Sequence, residues 1–142
     1  MEKIPFIFIL LLLFSCENRD SKKSEPIQTE INGLTEFEFS EEMHNFGSLQ
    51  SGEIVIYTFE FKNNGNSNLI INNIDSDCGC VKAEFSQKPV PPGASGRIEI
   101  EFDSSGLWGK QFKSIEIHAN TEKPKQLAIF ADVENDQFEI KY

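Results

Sequence analysis

Beyond Gly33 the chain alternates apolar and polar residues in short runs separated by Gly, Pro, Asn and Ser. Side chains two residues apart share one face of a strand, so this period predicts strands with one buried face and one solvated face. The apolar sets that share a face are Phe37/Phe39, Val55/Tyr57/Phe59/Phe61, Leu69/Ile71 (which alternate with Ile70/Ile74), Val81/Ala83/Phe85, Ile98/Ile100/Phe102, Ile115/Ile117, Leu127/Ile129/Ala131/Val133 and Phe138/Ile140. No helical period appears, and the pattern predicts an all-β sandwich of seven or eight strands.

Turn-forming residues mark the reversals between these strands. Asn63-Asn64-Gly65-Asn66 tolerates left-handed backbone, Pro91-Pro92-Gly93 cannot continue a central strand, and residues 104–109 form another break. Phe112 is out of phase with the two isoleucines that follow it, which indicates a bulge or a two-sided strand. A domain over residues 37–142 has the size of an immunoglobulin-like antiparallel β-sandwich, and this is the predicted fold.

The amino-terminal residues predict export. Residues 4–14 are apolar and follow Lys3, but they form only about 16 Å of helix, too short for the ~30 Å hydrocarbon core of a membrane. Leu13-Phe14-Ser15-Cys16 resembles the bacterial lipobox. That resemblance implies that residues 1–15 are a cleaved signal peptide and that Cys16 is lipidated; the alternative is an ordinary secretory signal that leaves Cys16 unmodified.

The segment after Cys16 is too polar to fold. Residues 16–36 are therefore predicted to be the lipidated cysteine and a flexible tether, of which residues 17–32 would span about 20–25 Å. The protein would then contact a membrane through its lipid. Because Glu17 stands where an Asp commonly signals inner-membrane retention, the expected location is the cell envelope, on the periplasmic face of the outer membrane.

The net charge of the chain disfavours two classes of partner, nucleic acids and anionic membrane surfaces. The net charge is −10, with no Lys/Arg cluster, and such a surface repels nucleic-acid phosphates and anionic headgroups. Thirteen Phe residues supply ample apolar area for a core. The expected partner is a protein of the envelope, and no cofactor is expected.

Cys78 and Cys80 are the cysteine pair left when Cys16 carries lipid. An extended strand separates such Cα atoms by about 6.5 Å, and a bend at Gly79 would bring them to the roughly 5.5–6 Å of a disulfide. The first hypothesis is a structural or readily exchanged disulfide. The second is a soft-metal site, because two thiolates on one face bind Cu(I) or contribute to a Zn(II) site. The third is a pair of reduced thiols at a strand end.

Zinc would need further nitrogen or sulfur donors, and the chain offers His44, His118 and Met43. None of these stands at zinc-finger spacing. Each histidine is interpreted either as a ligand or as a solvated or hydrogen-bonded residue near a bend or strand end.

Trp108, in a glycine-bounded loop, is a candidate anchor for a protein partner, since Trp concentrates binding energy at interfaces. The alternative is that it folds back over the end of the sandwich. Glu99, Glu101 and Asp103 alternate with an apolar face and indicate a solvated outer surface more than a calcium site.

Several short motifs, in their order along the chain, resemble those of a known protein family. They are Phe46-Gly47-Ser48-Leu49-Gln50-Ser51-Gly52-Glu53, Phe59-Glu60-Phe61-Lys62-Asn63-Asn64-Gly65, Leu69-Ile70-Ile71, Asp77-Cys78-Gly79-Cys80, and Pro92-Gly93 before Ile98-Glu99-Ile100-Glu101-Phe102. Over roughly residues 42–133 the chain is similar to bacterial envelope proteins with domain of unknown function 1573. The resemblance implies a fold like that of major sperm protein and of ciliary and centrosomal scaffold domains, with no established enzymatic activity.

These observations predict a non-catalytic binding or scaffold module. No nucleophile elbow or triad signature is present, so no catalytic residue is assigned. The alternative is a thiol redox or Cu(I)-handling protein that uses Cys78 and Cys80.

Overall fold

Eight β-strands follow one another along the part of the chain that the structure describes, residues 35–134 of a computed structural model. They are β1 (Phe37–Phe39), β2 (Met43–Gln50), β3 (Ile54–Asn63), β4 (Ile71–Ser76), β5 (Val81–Phe85), β6 (Ser95–Asp103), β7 (Gly109–Ala119) and β8 (Lys125–Glu134). The predicted signal peptide, Cys16, most of the predicted tether and the predicted strand at Phe138/Ile140 lie outside the described residues. Within those residues, no helix has the length and hydropathy needed to cross a membrane.

The strands form two four-stranded sheets, in the orders β1-β3-β6-β5 and β2-β8-β7-β4. This arrangement confirms the all-β, immunoglobulin-like sandwich predicted from the sequence. One pair departs from the antiparallel expectation, because β2 lies parallel to β8. The chain passes from β1 in one sheet to β2 in the other without reversing, so β2 meets β8 running in the same direction.

The core lies between the two sheets and is built from the predicted alternating positions. Phe59, Ile98, Ile100 and Phe102 of the first sheet are at most 1% exposed, as are Ile115, Ile117, Ile129 and Ala131 of the second. Alternate side chains of each strand therefore enter the core, and the intervening residues face solvent. Phe112 is one of the outward residues: it pairs with Phe130 in an unbroken β7–β8 register, so β7 is two-sided here and has no bulge against β8.

Strand β2 was not predicted, because a bulge hides its period. The register with β8 shifts between Asn45 and Ser48, and Gly47 has a φ of 75°. Phe46 and Leu49 both pack on the core although they are three residues apart. A period of two cannot join them, so the strand is invisible to a search for simple alternation.

The two ends of the sandwich carry different connections between the strands, and one of them also carries the start of the described chain. The proximal end carries Thr35, where the described chain begins, together with the connections at residues 64–70, 86–94 and 120–124. The distal end carries the connections at residues 51–53, 77–80 and 104–108. Thr35 is buried and bridges to Thr121, so the fold already includes the last residues assigned to the tether.

A buried asparagine organises the proximal end. The Asn63 side chain is fully buried; its amide donates to the carbonyls of Ser67 and Val90 at 2.7 and 2.8 Å, and its oxygen accepts from Gly65 N–H at 2.9 Å and from the Thr35 hydroxyl. No residue from 63 to 66 has a positive φ, so the expected left-handed backbone is absent from this turn. Side-chain hydrogen bonds to the backbone shape it instead.

Candidate functional site

Cys78 and Cys80 lie in the distal connection between β4 and β5, where the chain crosses from one sheet to the other. The structure joins them by a disulfide with 5.2 Å between the Cα atoms, shorter than an extended strand allows. Both cysteines are half-buried against the edge of the core. Gly79 between them is exposed and does not adopt a positive φ, so the bend does not require the glycine-only region of backbone space.

Hydrogen bonds hold this disulfide loop to both sheets. On the β7 side, Asp77 N–H donates to the Ser114 carbonyl at 3.3 Å, and the Asp77 carboxylate accepts from Ser114 N–H at 3.1 Å. On the β6 side, Asp103 N–H donates to the Cys80 carbonyl at 2.9 Å. Ser76 Oγ donates to the Cys78 carbonyl at 2.8 Å. The loop position is therefore fixed by backbone and side-chain hydrogen bonds that do not involve the sulfur atoms.

Ser104 fixes the neighbouring connection, and sequence reasoning gave it no role. Its side chain is fully buried; the Oγ atom lies 2.9 Å from the carbonyls of Gln50 and Glu53 and accepts from Gly52 N–H at 3.1 Å. These contacts tie the β2–β3 connection to the end of β6. The only sequence signal was its place at the start of a predicted reversal.

Trp108 is the most exposed large hydrophobic side chain at the described part of the distal end, with 68% of its surface accessible. Its carbonyl accepts from the Gln111 side chain at 2.8 Å, which fixes the backbone that carries the indole. Phe112, 57% exposed, follows on the outer face of β7. This exposure favours the surface-anchor interpretation of Trp108 over burial against the end of the sandwich.

His44 lies on β2, on the side of the sandwich where β1 and β2 form the sheet edges. Its ring stacks on Tyr57 with 3.5 Å between centroids and a 7° interplanar angle, and Nδ1 is 3.7 Å from Glu41. The Tyr57 hydroxyl donates to the same carboxylate at 2.7 Å, and this hydrogen bond raises the pKa of Tyr57. His44 thus packs between the sheet layers and does not join the cysteines.

His118 lies on the outer face of β7, away from the disulfide loop. Its Nε2 atom is 3.1 Å from Asp75 and 3.0 Å from Glu116. Met43 is 55% exposed at the start of β2. Residues 35–134 contain no group of three or more His, Cys, Asp or Glu side chains arranged to hold a metal ion, so the structure does not assemble the zinc donors considered from the sequence.

The acidic residues of β6 line the outer face of the first sheet, as their alternation predicted. Glu101 contacts the Lys82 ammonium at 2.8 Å, and this hydrogen bond raises the pKa of Lys82. Ser105 lowers the pKa of Asp103, first through a side-chain hydrogen bond and then through its N–H, which donates at 2.9 Å. Neighbouring protein groups satisfy these two carboxylates.

The second feature that sequence reasoning missed is the outer face of β3. Ile54 and Ile56 are 59% and 56% exposed, although only their inward-facing neighbours had been assigned a place. The signal was present as Ile54-Val55-Ile56, a run that is apolar on both faces of its strand.

Solved structures with the same fold come from different organisms. A protein of unknown function from Porphyromonas gingivalis W83 is 20% identical, with a TM-score of 0.58, over 70% of this chain and 46% of its own. The PapD-like domain 7 of human CEP192 is 12% identical, with a TM-score of 0.55, over 92% of this chain and 99% of its own. The VesB protease of Vibrio cholerae is 14% identical, with a TM-score of 0.56, over 73% of this chain and 33% of its own. These likenesses show the fold alone.

The chain spans less than half the length of the Porphyromonas and Vibrio structures that it matches. No curated protein sequence matches it significantly. A family model does match, over residues 37–133, which include β1 to β7, all of β8 except its last residue, and the disulfide loop. The chain therefore belongs to the family described as protein of unknown function (DUF1573).

Proposed function

We propose that this protein is a non-catalytic, lipid-anchored module of the bacterial envelope that binds a protein partner with its distal end. The observation that carries the proposal is the placement of Trp108 and the disulfide loop at the end opposite Thr35. A lipid on Cys16 and a polar tether through residues 16–36 would hold the proximal end toward the membrane. The distal end would then face outward, where a partner can reach it.

The chemistry of the distal end suits a protein partner. An exposed indole provides a large apolar contact, and a rigid backbone beneath it lowers the entropy lost on binding. Buried polar side chains at both ends, Asn63 and Ser104, use their hydrogen bonds to hold the connections of the sandwich in place. Nucleic acid stays excluded from the proposed partners by the net charge of −10.

Site-specific photo-crosslinking in the native host tests this proposal. A photoreactive residue at Ser105, which is exposed near Trp108, is expected to give a discrete crosslinked protein. Trp108→Ala should reduce the yield of that product about tenfold, because the indole that the partner would bury is lost. Phe112→Ala is the matched control and should leave the yield unchanged. A photoreactive residue at Glu122, at the proximal end, should not give the product; equal yields from both ends would contradict the proposal.

The half-buried disulfide supports a second candidate function, thiol exchange. In that reaction a thiolate of a partner dithiol attacks one sulfur, the other sulfur leaves as a thiolate, and the second partner thiol completes the transfer of two electrons and two protons to the cysteine pair. The partner dithiol becomes the disulfide. Copper handling would follow only from the reduced pair.

Reduction of the pair is expected to leave the domain folded. The closed loop contains one intervening residue, so chain entropy assigns the bond only about 1.5 kcal/mol of stability. Mass spectrometry after reduction and alkylation should show two added alkyl groups, and urea unfolding of the same sample should show that small loss. Cys78→Ser gives the matched oxidation-insensitive control; unfolding on reduction would contradict a readily exchanged bond.

A further inference from the structure

One side of β3 is open over the first half of the strand. β3 pairs with β6 from Ile54 to Lys62, but β1 pairs with it only at residues 61–63. A single hydrogen bond, from Ser40 N–H to the Glu60 carbonyl at 3.5 Å, continues the β1 side of the ladder. Among residues 35–134, no strand pairs with this side of residues 54–59, which we call the β3 edge.

The direction of the free backbone groups follows from the register. Alternate residues of an antiparallel strand direct their N–H and C=O groups to the same side. The Glu60 carbonyl faces β1, whereas Asn63 N–H donates to Ala94 on the β6 side at 2.9 Å. Even-numbered residues therefore face the open side, and the β3 edge presents the N–H and C=O groups of Ile54, Ile56 and Thr58.

The side chains of the β3 edge add apolar surface to this open backbone. Ile54 and Ile56 point outward and are more than half exposed. Residues 54–59 contain no charge, proline or glycine, and all six are β-branched or aromatic residues, which favour strands. An uncharged edge of this length is a template for pairing with another strand.

The other described edges carry the protections that the β3 edge lacks. β1 has three residues, and the registers of β2 and β4 are each interrupted by a shift. β5 is regular, but it directs the charged Lys82 and Glu84 outward. Short length, bulges and charge are the usual barriers to unwanted strand pairing, so the exception marks an interaction surface.

Charge identifies the kind of strand that fits. Glu53 and Glu60 bracket the β3 edge, and Asp103 and Glu101 lie opposite Ile54 and Ile56 on β6. A second copy of this chain also has a net charge of −10, so it would bring further carboxylates to an edge that already ends in two, which is unfavourable. Basic residues at those places would be attracted.

We infer that the β3 edge receives an extended strand from a protein partner, with apolar side chains over Ile54 and Ile56 and Lys or Arg residues beside Glu53 and Glu60. This inference rests on the proposed function and adds the class of segment that is bound. Main-chain hydrogen bonds give such a complex its affinity, and the alternating side chains with their basic flanks give it selectivity.

Hydrogen exchange with a defined probe tests the inference on the full chain in detergent micelles. The probe is a synthetic peptide of alternating valine and threonine with lysines at both ends; the matched probe has glutamates in place of the lysines. The lysine peptide is expected to slow exchange at the Ile54, Ile56 and Thr58 amides about tenfold, whereas odd-numbered amides already bonded to β6 change little. The glutamate peptide should bind about tenfold more weakly.

Ile56→Lys should reduce binding of the lysine peptide about tenfold or more, because an apolar contact is replaced by a like charge. Phe112→Lys is the matched control, since Phe112 is 57% exposed against 56% for Ile56 but lies on the other sheet. Equal losses in the two variants would overturn the inference. So would Ile56 amide protection that already exists in the free chain and disappears on dilution or on removal of residues 135–142, which would assign the edge to a second copy or to the carboxyl terminus.

Failure here and failure of the proposed function are distinguishable. If the photoreactive residue at Ser105 captures a partner in a Trp108-dependent way while Ile56→Lys has no effect, the distal end binds and the edge inference is wrong. If neither site captures or binds, the binding function itself is wrong.

Discussion

Replacement of Asn63 with leucine is expected to lower the free energy of unfolding by about 3–4 kcal/mol, because several buried groups lose their partners at once. The Asn63 amide and oxygen bind two carbonyls, an N–H and the Thr35 hydroxyl, and Thr35 is itself buried. Leucine fills a similar volume, so the loss comes from desolvated polar groups and not from a cavity. Urea unfolding of the full chain in detergent micelles, followed by circular dichroism, measures it.

Asn64→Leu is the control for this prediction. Asn64 is the next residue of the same turn, and its side chain is exposed, so the same chemical change should alter stability by no more than about 0.5 kcal/mol. Similar losses in the two variants would mean that turn propensity dominates. A large loss for Asn63 alone would show that its side chain joins the β3–β4 turn to Val90 and Thr35.

The sandwich was predictable because the core strands obey one simple rule. In β3, β6 and β8 every second residue enters a space between two sheets, and a period of two is sufficient to find such residues. β2 broke the rule at its bulge, where backbone geometry shifts the face of each later side chain. The parallel β2–β8 pair was equally hidden, since strand order depends on contacts between residues far apart in sequence.

The sequence predicted the reactive and exposed residues of the candidate site, but not the residues that hold them in place. Cys78 and Cys80 stand out by residue type, and Trp108 by its place between glycines. Ser104 and Ser76 do not, because a serine whose hydroxyl holds backbone carbonyls looks the same in sequence as a serine in solvent. The β3 edge was missed for another reason: alternation identified the inward residues of β3, and an open backbone edge has no residue signature of its own.

Two expectations about backbone conformation were wrong, because residue type shows what a backbone can do and not what it does. Gly79 and the Asn63–Asn66 turn were expected to need special conformations because glycine and asparagine permit them. Neither contains a positive φ. Gly79 lies in open space, whereas Gly65 packs against Thr35 so closely that an added Cβ would lie 2.6 Å from its Cα atom. A glycine can therefore be required for close packing as well as for conformation, and sequence alone does not separate the two.

Gly96→Ala is expected to lower the free energy of unfolding by about 2–3 kcal/mol through overpacking. Gly96 lies on β6 opposite Phe61, and a Cβ atom would lie 2.4 Å from Phe61 Cζ and 2.9 Å from both Cε atoms. The ring has little room to retreat, because it is 3% exposed and lies 5.0 and 5.5 Å from the centroids of Phe37 and Phe39. Gly79→Ala is the control, since a Cβ there meets nothing within 4 Å.

A second substitution separates this clash from loss of strand propensity. Alanine fits a strand at least as well as glycine, so Gly96→Ala loses no strand propensity. The penalty should therefore fall when the ring of Phe61 is removed. In a Phe61→Leu background, Gly96→Ala is expected to cost about 1 kcal/mol or less, a coupling of roughly 1–2 kcal/mol between the two sites. Additive losses would contradict a clash with Phe61 and would place the strain in the backbone of β6.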